Sequence, residues 1–132
     1  VIRDEKSFPN KSPKADMLKK DNRIRKNKEF DRVFEVGQTF YSKDFNIRAV
    51  DNGMEQSRLG VIASTKVSKK AVLRNLAKRW IKKAFQDEKE NIIPGKDLVV
   101  VIFDKILDKN FQDIHAELVQ SFKNLKIYKK IK

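Results

Sequence analysis

The sequence predicts an α+β fold: a small central β-sheet with three packed helices, in the order helix, strands, helix, strand, helix. Three observations carry this. Apolar residues recur at helical spacing in three separate segments, Phe45, Ile47 and Ala49 alternate with Asn46, Arg48 and Val50, and Leu98 to Phe103 form an unbroken apolar run. With 132 residues and 39% hydrophobic content, the chain can build one compact core but not two ordinary domains.

Residues 1 to 20 carry Pro9, Pro13, serines and interspersed charge without helix or strand period, so they read as a flexible basic tail ahead of a single domain over 21 to 132. From Lys28 to Val36, Phe30, Val33, Phe34 and Val36 fall at helical spacing and Gly37 follows as a stop. Thr39 to Val50 is rich in β-formers, with Phe45, Ile47 and Ala49 on one face. Asp51-Asn52-Gly53 turns the chain, and Arg58 to Ser64 reads as the next strand.

A long basic helix, Lys69 to Lys83, then leads through Pro94-Gly95 to the strand Asp97 to Phe103, whose apolar run implies cover on both faces. Asp108 to Asn110 opens a last helix, on which Phe111, Ile114, Leu118, Phe122 and Leu125 share a stripe.

Charge narrows the function. Thirty-one Lys and Arg against 18 Asp and Glu leave +13, a self-repulsion that a polyanion relieves. No apolar run approaches the ~20 residues of a membrane span. The first residues mix Arg3, Asp4, Glu5 and Lys6 where a signal peptide would be apolar, so no membrane association and a cytoplasmic location are expected. The absence of cysteine excludes disulfides and thiolate metal sites. Nucleic acid is the partner that remains.

On a helix of ~100° per residue, Leu73, Ala77, Trp80, Ile81, Ala84 and Phe85 gather on one side, with Leu76 at the margin. Arg74, Asn75, Lys78, Arg79, Lys82 and Lys83 gather on the other, preceded by Lys66, Lys69 and Lys70. No acid occurs between Ser64 and Gln86. Like charges at i,i+4, such as Arg74, Lys78 and Lys82, destabilise an isolated helix, so the pattern makes sense against a phosphate backbone. Arg74 and Arg79 can fork onto phosphates, and Asn75 can donate and accept toward bases or sugar hydroxyls.

Three blocks, NRIRKNKEFDRVFEVGQTF, SRLGVIASTKVSKKAVLRNLAKRWIKKAF and GKDLVVVIF, occur in an order that resembles the bacterial ribonuclease P protein family, over about residues 21 to 128. The family signature, an Arg-Asn-Arg stretch continuing to Lys-Arg, is matched by Ala71, Arg74, Asn75, Lys78 and Arg79. Leu76 stands where the family usually has its second Arg.

The resemblance implies an accessory subunit of the endoribonuclease that removes the 5′ leader from precursor tRNA, with the active site and its magnesium ions in the RNA subunit. It further implies that the signature helix binds that RNA, while a cleft between the first helix and the sheet holds the single-stranded leader. Phe30, Phe34 and Arg48 align with the cleft. Arg48 stands where an aromatic residue is common, so a guanidinium plane would do the stacking. Arg23, Arg25 and Lys26 are expected to extend a basic rim. The family fold also carries a left-handed crossover, where parallel neighbouring strands ordinarily take a right-handed one.

The rival readings are a protein nuclease and a ribosomal-type RNA scaffold. A nuclease needs clustered carboxylates or an acid–base pair. Glu29, Asp31 and Glu35, and likewise Asp87, Glu88 and Glu90, read instead as surface charge, and His115 as a structural residue at the core edge.

Overall fold

The computed structural model describes residues 22–129, and the expected tail, 1 to 20, lies outside them. The described elements run α1 (Asn27–Val36), β1 (Gln38–Tyr41), β2 (Phe45–Asp51), β3 (Arg58–Ile62), α2 (Ala71–Glu88), β4 (Lys96–Ile102) and α3 (Phe111–Asn124). Short 3-10 turns at Lys89–Asn91 and Asp104–Asp108 flank β4. The order is the expected one.

α1 begins where Glu29 Oε1 accepts the backbone N–H of Arg25 and of Lys26, satisfying donors that a helix start leaves free. It ends at Gly37, which donates to Val33 O at 2.9 Å. Gly37 has an ordinary negative φ, so space rather than backbone freedom requires it. A Cβ there would lie 2.5 Å from Val33 O.

The expected β-rich stretch from Thr39 resolves into two strands, β1 and β2, separated at 42–44. Ser42 N donates to Phe45 O, and Asp44 turns inward to become almost fully buried. The sheet order is β1-β2-β4-β3. Pairings β1–β2 and β2–β4 are antiparallel, and β3–β4 is parallel. A parallel pair needs a crossover, which α2 supplies.

Alternation along the strands sends Phe45, Ile47, Leu98, Val100 and Ile102 into the main core with α2 and α3. Val99, with Val50, Ile62 and Val101 beside it, meets Ile24 and Val33 on the opposite face, under α1. Thus β4 is buried from both sides, as its unbroken apolar run implied. Trp80, Phe85 and Phe122 are fully buried in the main core.

Two features of α2 depart from the sequence reading. It begins at Ala71, not Lys69, because Ser68 Oγ accepts the Lys70 N–H at 3.1 Å and Lys70 is extended. It runs on to Glu88, its last turns held by a Lys83–Asp87 pair at 3.2 Å and by Glu88, which meets His115 Nε2 at 3.1 Å. The first turn stands clear of the core, leaving Val72 exposed and Leu73 half-buried, whereas Leu76 is buried in the cluster that includes Val67. α3 starts at the expected place, capped by Asn110 Oδ1, which accepts Asp113 N–H at 2.8 Å.

Candidate nucleic-acid interface

The basic surface is built by α2 and the loop before it. Lys66, Lys69 and Lys70 are exposed on the loop, Asn75 is exposed on the helix, and Arg74, Lys78, Arg79, Lys82 and Lys83 are half-buried along their stems. Arg74 Nη1 donates to Ser68 O at 2.7 Å, so this guanidinium also ties the loop to the helix.

Burial, together with the charges of Lys78 and Arg23 beside it, lowers the Lys82 pKa. Arg23 is thus part of the α2 surface. It reaches there because Arg23 bridges Leu59 in parallel and Ile24 N donates to Leu59 O at 3.0 Å, extending the sheet beyond β3. Arg25 and Lys26 are exposed at the head of α1. Three cations crowded together repel one another, and a phosphate placed among them would remove that cost. Lys83 is partly neutralised by Asp87 and marks the acidic border of the surface.

The second surface lies across the sheet, under α1. The strand register sets three rows on this face: Val50–Asp97–Arg58, then Thr39–Arg48–Val99–Gly60, and beyond it Tyr41–Asn46–Val101–Ile62. α1 closes over the middle row. The Phe30 ring lies so near Gly60 that a Cβ there would meet it at 2.4 Å, and Val33 packs with Val99. Phe34, 38% exposed, receives the Arg48 guanidinium over its ring at 4.8 Å. Arg48 Nε donates in turn to Thr39 Oγ1 at 3.2 Å. Phe30 is therefore a half-buried packing residue, whereas Phe34 and Arg48 form an accessible stacked pair where α1 meets the sheet.

One residue that fixes α1 to the sheet was not visible in the sequence. Arg58 Nε and Nη2 fork onto Asp97 at 2.9 and 2.7 Å, and Arg58 Nη1 donates to Glu29 of α1 at 2.9 Å. Asn52 Nδ2 also donates to Asp97, at 2.8 Å. The two carboxylates hold the Arg58 pKa well above its ordinary value, and the Glu29 pKa is lowered: desolvation raises it, but the hydrogen bonds from Arg58 and from the Lys26 and Arg25 backbone, with the Arg58 charge, together outweigh that. The partners lie 29 and 39 residues from Arg58, so no local pattern announces them.

The arrangement can do two things. A cationic helix and loop can track a phosphate backbone, and an aromatic–guanidinium pair beside an open sheet can stack unpaired bases. Among the described residues, no group of three or more His, Asp or Glu side chains is placed to hold a metal ion. Nor is any helix there long and apolar enough to cross a membrane.

The model of the Ribonuclease P family matches residues 18–126. A ribonuclease P protein component from Geobacillus kaustophilus is 37% identical over 103 residues, 77% of this chain and 84% of the relative. A structure of a mutant RNase P protein from Staphylococcus aureus superposes with a TM-score of 0.77 at 31% identity, covering 83% of this chain and 92% of that one. The RNase P protein from Thermotoga maritima gives 0.70 at 30% identity, covering 77% and 96%.

Proposed function

The chain belongs to the bacterial ribonuclease P protein family, and from that premise we propose that it binds the ribonuclease P RNA with α2 and its preceding loop while holding the 5′ leader of precursor tRNA in the cleft under α1. The holoenzyme is an endoribonuclease that matures tRNA 5′ ends, with its active site in RNA. This chain contributes binding energy and orientation.

Lys66, Lys69, Lys70, Arg74, Asn75, Lys78, Arg79, Lys82 and Lys83 are assigned to the RNA subunit, joined by Arg23. Phe34 and Arg48 are assigned to the leader. Phe30 supports them by seating α1 on Gly60. Arg25 and Lys26 are assigned to the rim at the head of α1.

The observation that carries this reading is the separation of two surfaces by one four-stranded sheet. The cationic helix packs on one face and the stacked Phe34–Arg48 pair opens on the other. A protein holding two RNA segments at once raises the effective concentration of one at the other. Magnesium, the expected cofactor of the holoenzyme, is assigned to the RNA. Among the described residues, no group of three or more His, Asp or Glu side chains is placed to hold it. The expected cytoplasmic location follows from a substrate, precursor tRNA, that is made and matured there.

Affinity of the reconstituted particle for precursor tRNA with and without its leader tests the proposal. A protein-dependent gain confined to the leader-bearing substrate supports it. Equal affinities contradict it.

A further inference from the structure

The residues ahead of α1 form a short strand-like edge on β3. Arg23 pairs with Leu59, and Ile24 N donates to Leu59 O at 3.0 Å. Leu59 belongs to the main core with α2, whereas Ile24 packs into the cluster under α1. Alternation therefore turns Arg23 toward the α2 face of the sheet. Its Nε is buried there without a hydrogen-bond partner, close to the Lys82 ammonium. A guanidinium so placed gains nothing from its neighbours in the free protein, so something must hold it.

Asn22 supplies the hold. This side chain is 6% exposed, and both ends of its amide are occupied. Nδ2 donates to Ser57 O at 3.0 Å and reaches Gln56 Oε1 at 3.4 Å, while Oδ1 accepts from Lys89 Nζ at 3.2 Å. Lys89 continues the helical backbone past Glu88 and follows Lys82 by seven residues, two turns with a drift of ~20°. Lys78, Lys82 and Lys89 thus share one side of α2. The last of them anchors the chain that brings Arg23 to the other two.

We propose that Asn22 is a positioning residue for RNA binding: clamped between Ser57 and Lys89, it fixes the backbone that carries Arg23 and so delivers that guanidinium to a phosphate site completed by Lys78 and Lys82. The inference rests on the assignment of Arg23 and α2 to the RNA subunit, and adds the residue that sets their geometry. Asn22 itself touches no RNA, being buried with its amide engaged on both sides. The Ile24 amide and the Asn22 side chain tie the backbone on either side of Arg23, which lowers the ordering cost when a phosphate is bound.

The test is affinity for ribonuclease P RNA over a salt series. Arg23→Ala, Asn22→Ala, Lys89→Met and Lys78→Ala are measured singly, and Asn22→Ala and Lys89→Met are each repeated in the Arg23→Ala background. Melting curves set a temperature at which the variants are folded.

Arg23→Ala is expected to weaken binding by about tenfold, the scale of a hydrogen bond to a charged group, and to lower the log–log salt slope by roughly one unit or less. Asn22→Ala removes no charge, yet it should weaken binding by about threefold or more, the scale of reordering one long side chain, and should lower the slope as well. In the Arg23→Ala background, Asn22→Ala and Lys89→Met should each change affinity by less than about twofold. Equal losses in both backgrounds, or a slope unchanged by Asn22→Ala, overturn the positioning role. If Asn22→Ala does not fold, the Lys89→Met cycle decides by the same criterion. Losses in Arg23→Ala and Lys78→Ala without coupling to Asn22 or Lys89 overturn this inference alone. If neither Arg23→Ala nor Lys78→Ala weakens binding, the assignment of the α2 surface falls with it.

Discussion

The guanidinium of Arg48 lies over the ring of Phe34, 4.8 Å from its centroid, joining the floor of the sheet to the wall made by α1. A cation over an aromatic face at an exposed site contributes ~0.5 to 1 kcal/mol, so the pair holds its shape weakly and can open to admit a base between its members or on its outer face. Phe34→Ala and Arg48→Ala should each reduce affinity for leader-bearing precursor by roughly five- to tenfold and leave affinity for leaderless tRNA unchanged. A double-mutant cycle should show coupling, because each platform positions the other. Additive losses would mean that the two side chains act apart.

Lys78→Ala should reduce the log–log salt dependence of binding to ribonuclease P RNA by roughly one unit or less, the signature of one lost phosphate contact. Arg74→Ala should reduce it similarly and cost more affinity, because it also frees the loop that Arg74 holds through Ser68 O. Salt titration of both variants checks this; an unchanged slope would remove α2 from the phosphate contacts.

Arg58→Ala should destabilise the fold by about 3 kcal/mol, since it strands the nearly buried Asp97 carboxylate without its cation. Urea unfolding measures this. Because the same guanidinium holds Glu29 at the head of α1, the variant should lose leader-dependent affinity before it loses affinity for the RNA subunit. Equal losses would assign Arg58 to global stability alone.

A pair of carboxyl groups predicts a pH dependence unconnected with RNA. Asp44 is 1% exposed, with Lys109 Nζ 3.7 Å away, and Glu117 of α3 accepts from Ser42 Oγ beside it. Burial, then the Asp44 hydrogen bond and charge, push Glu117 up to about 7. A raised carboxyl favours the folded state while protonated, so its contribution is fully present below the ordinary Glu range near pH 4.5 and is lost as pH rises through about 7. Discounted for solvent screening of a partly exposed group, the loss is on the order of 1 kcal/mol. Thermal melts from pH 5 to 8 should show it, and Glu117→Gln should abolish this component; an unaltered pH profile in that variant would rule the pair out.

Much of this molecule was legible in the residues. Period-2 alternation at Phe45, Ile47 and Ala49, the unbroken run on β4 and the stripe from Phe111 to Leu125 each specify burial locally, and each element formed where expected. The acid-free run marked α2 for the same reason. What stayed hidden depends on contacts between distant segments. The break between β1 and β2 is accompanied by a bond from Ser42 to Glu117 of α3, Leu76 is buried in a cluster that includes Val67 from the preceding loop, and α1 is seated by Arg58. Leu76, which departs from the family signature, is a core residue here, so no RNA contact is assigned to it. Phe30 and Phe34 share one periodic pattern, and only the close approach to Gly60 separates the packed ring from the open one.

Cleavage of a leader-bearing precursor tRNA by ribonuclease P RNA, at a magnesium concentration too low for the RNA to act well alone, tests the central claim most directly. Adding this protein should restore cleavage at the mature 5′ end, and the protein without RNA should cut nothing. Cleavage unchanged by the protein, or cleavage by the protein alone, would contradict the account.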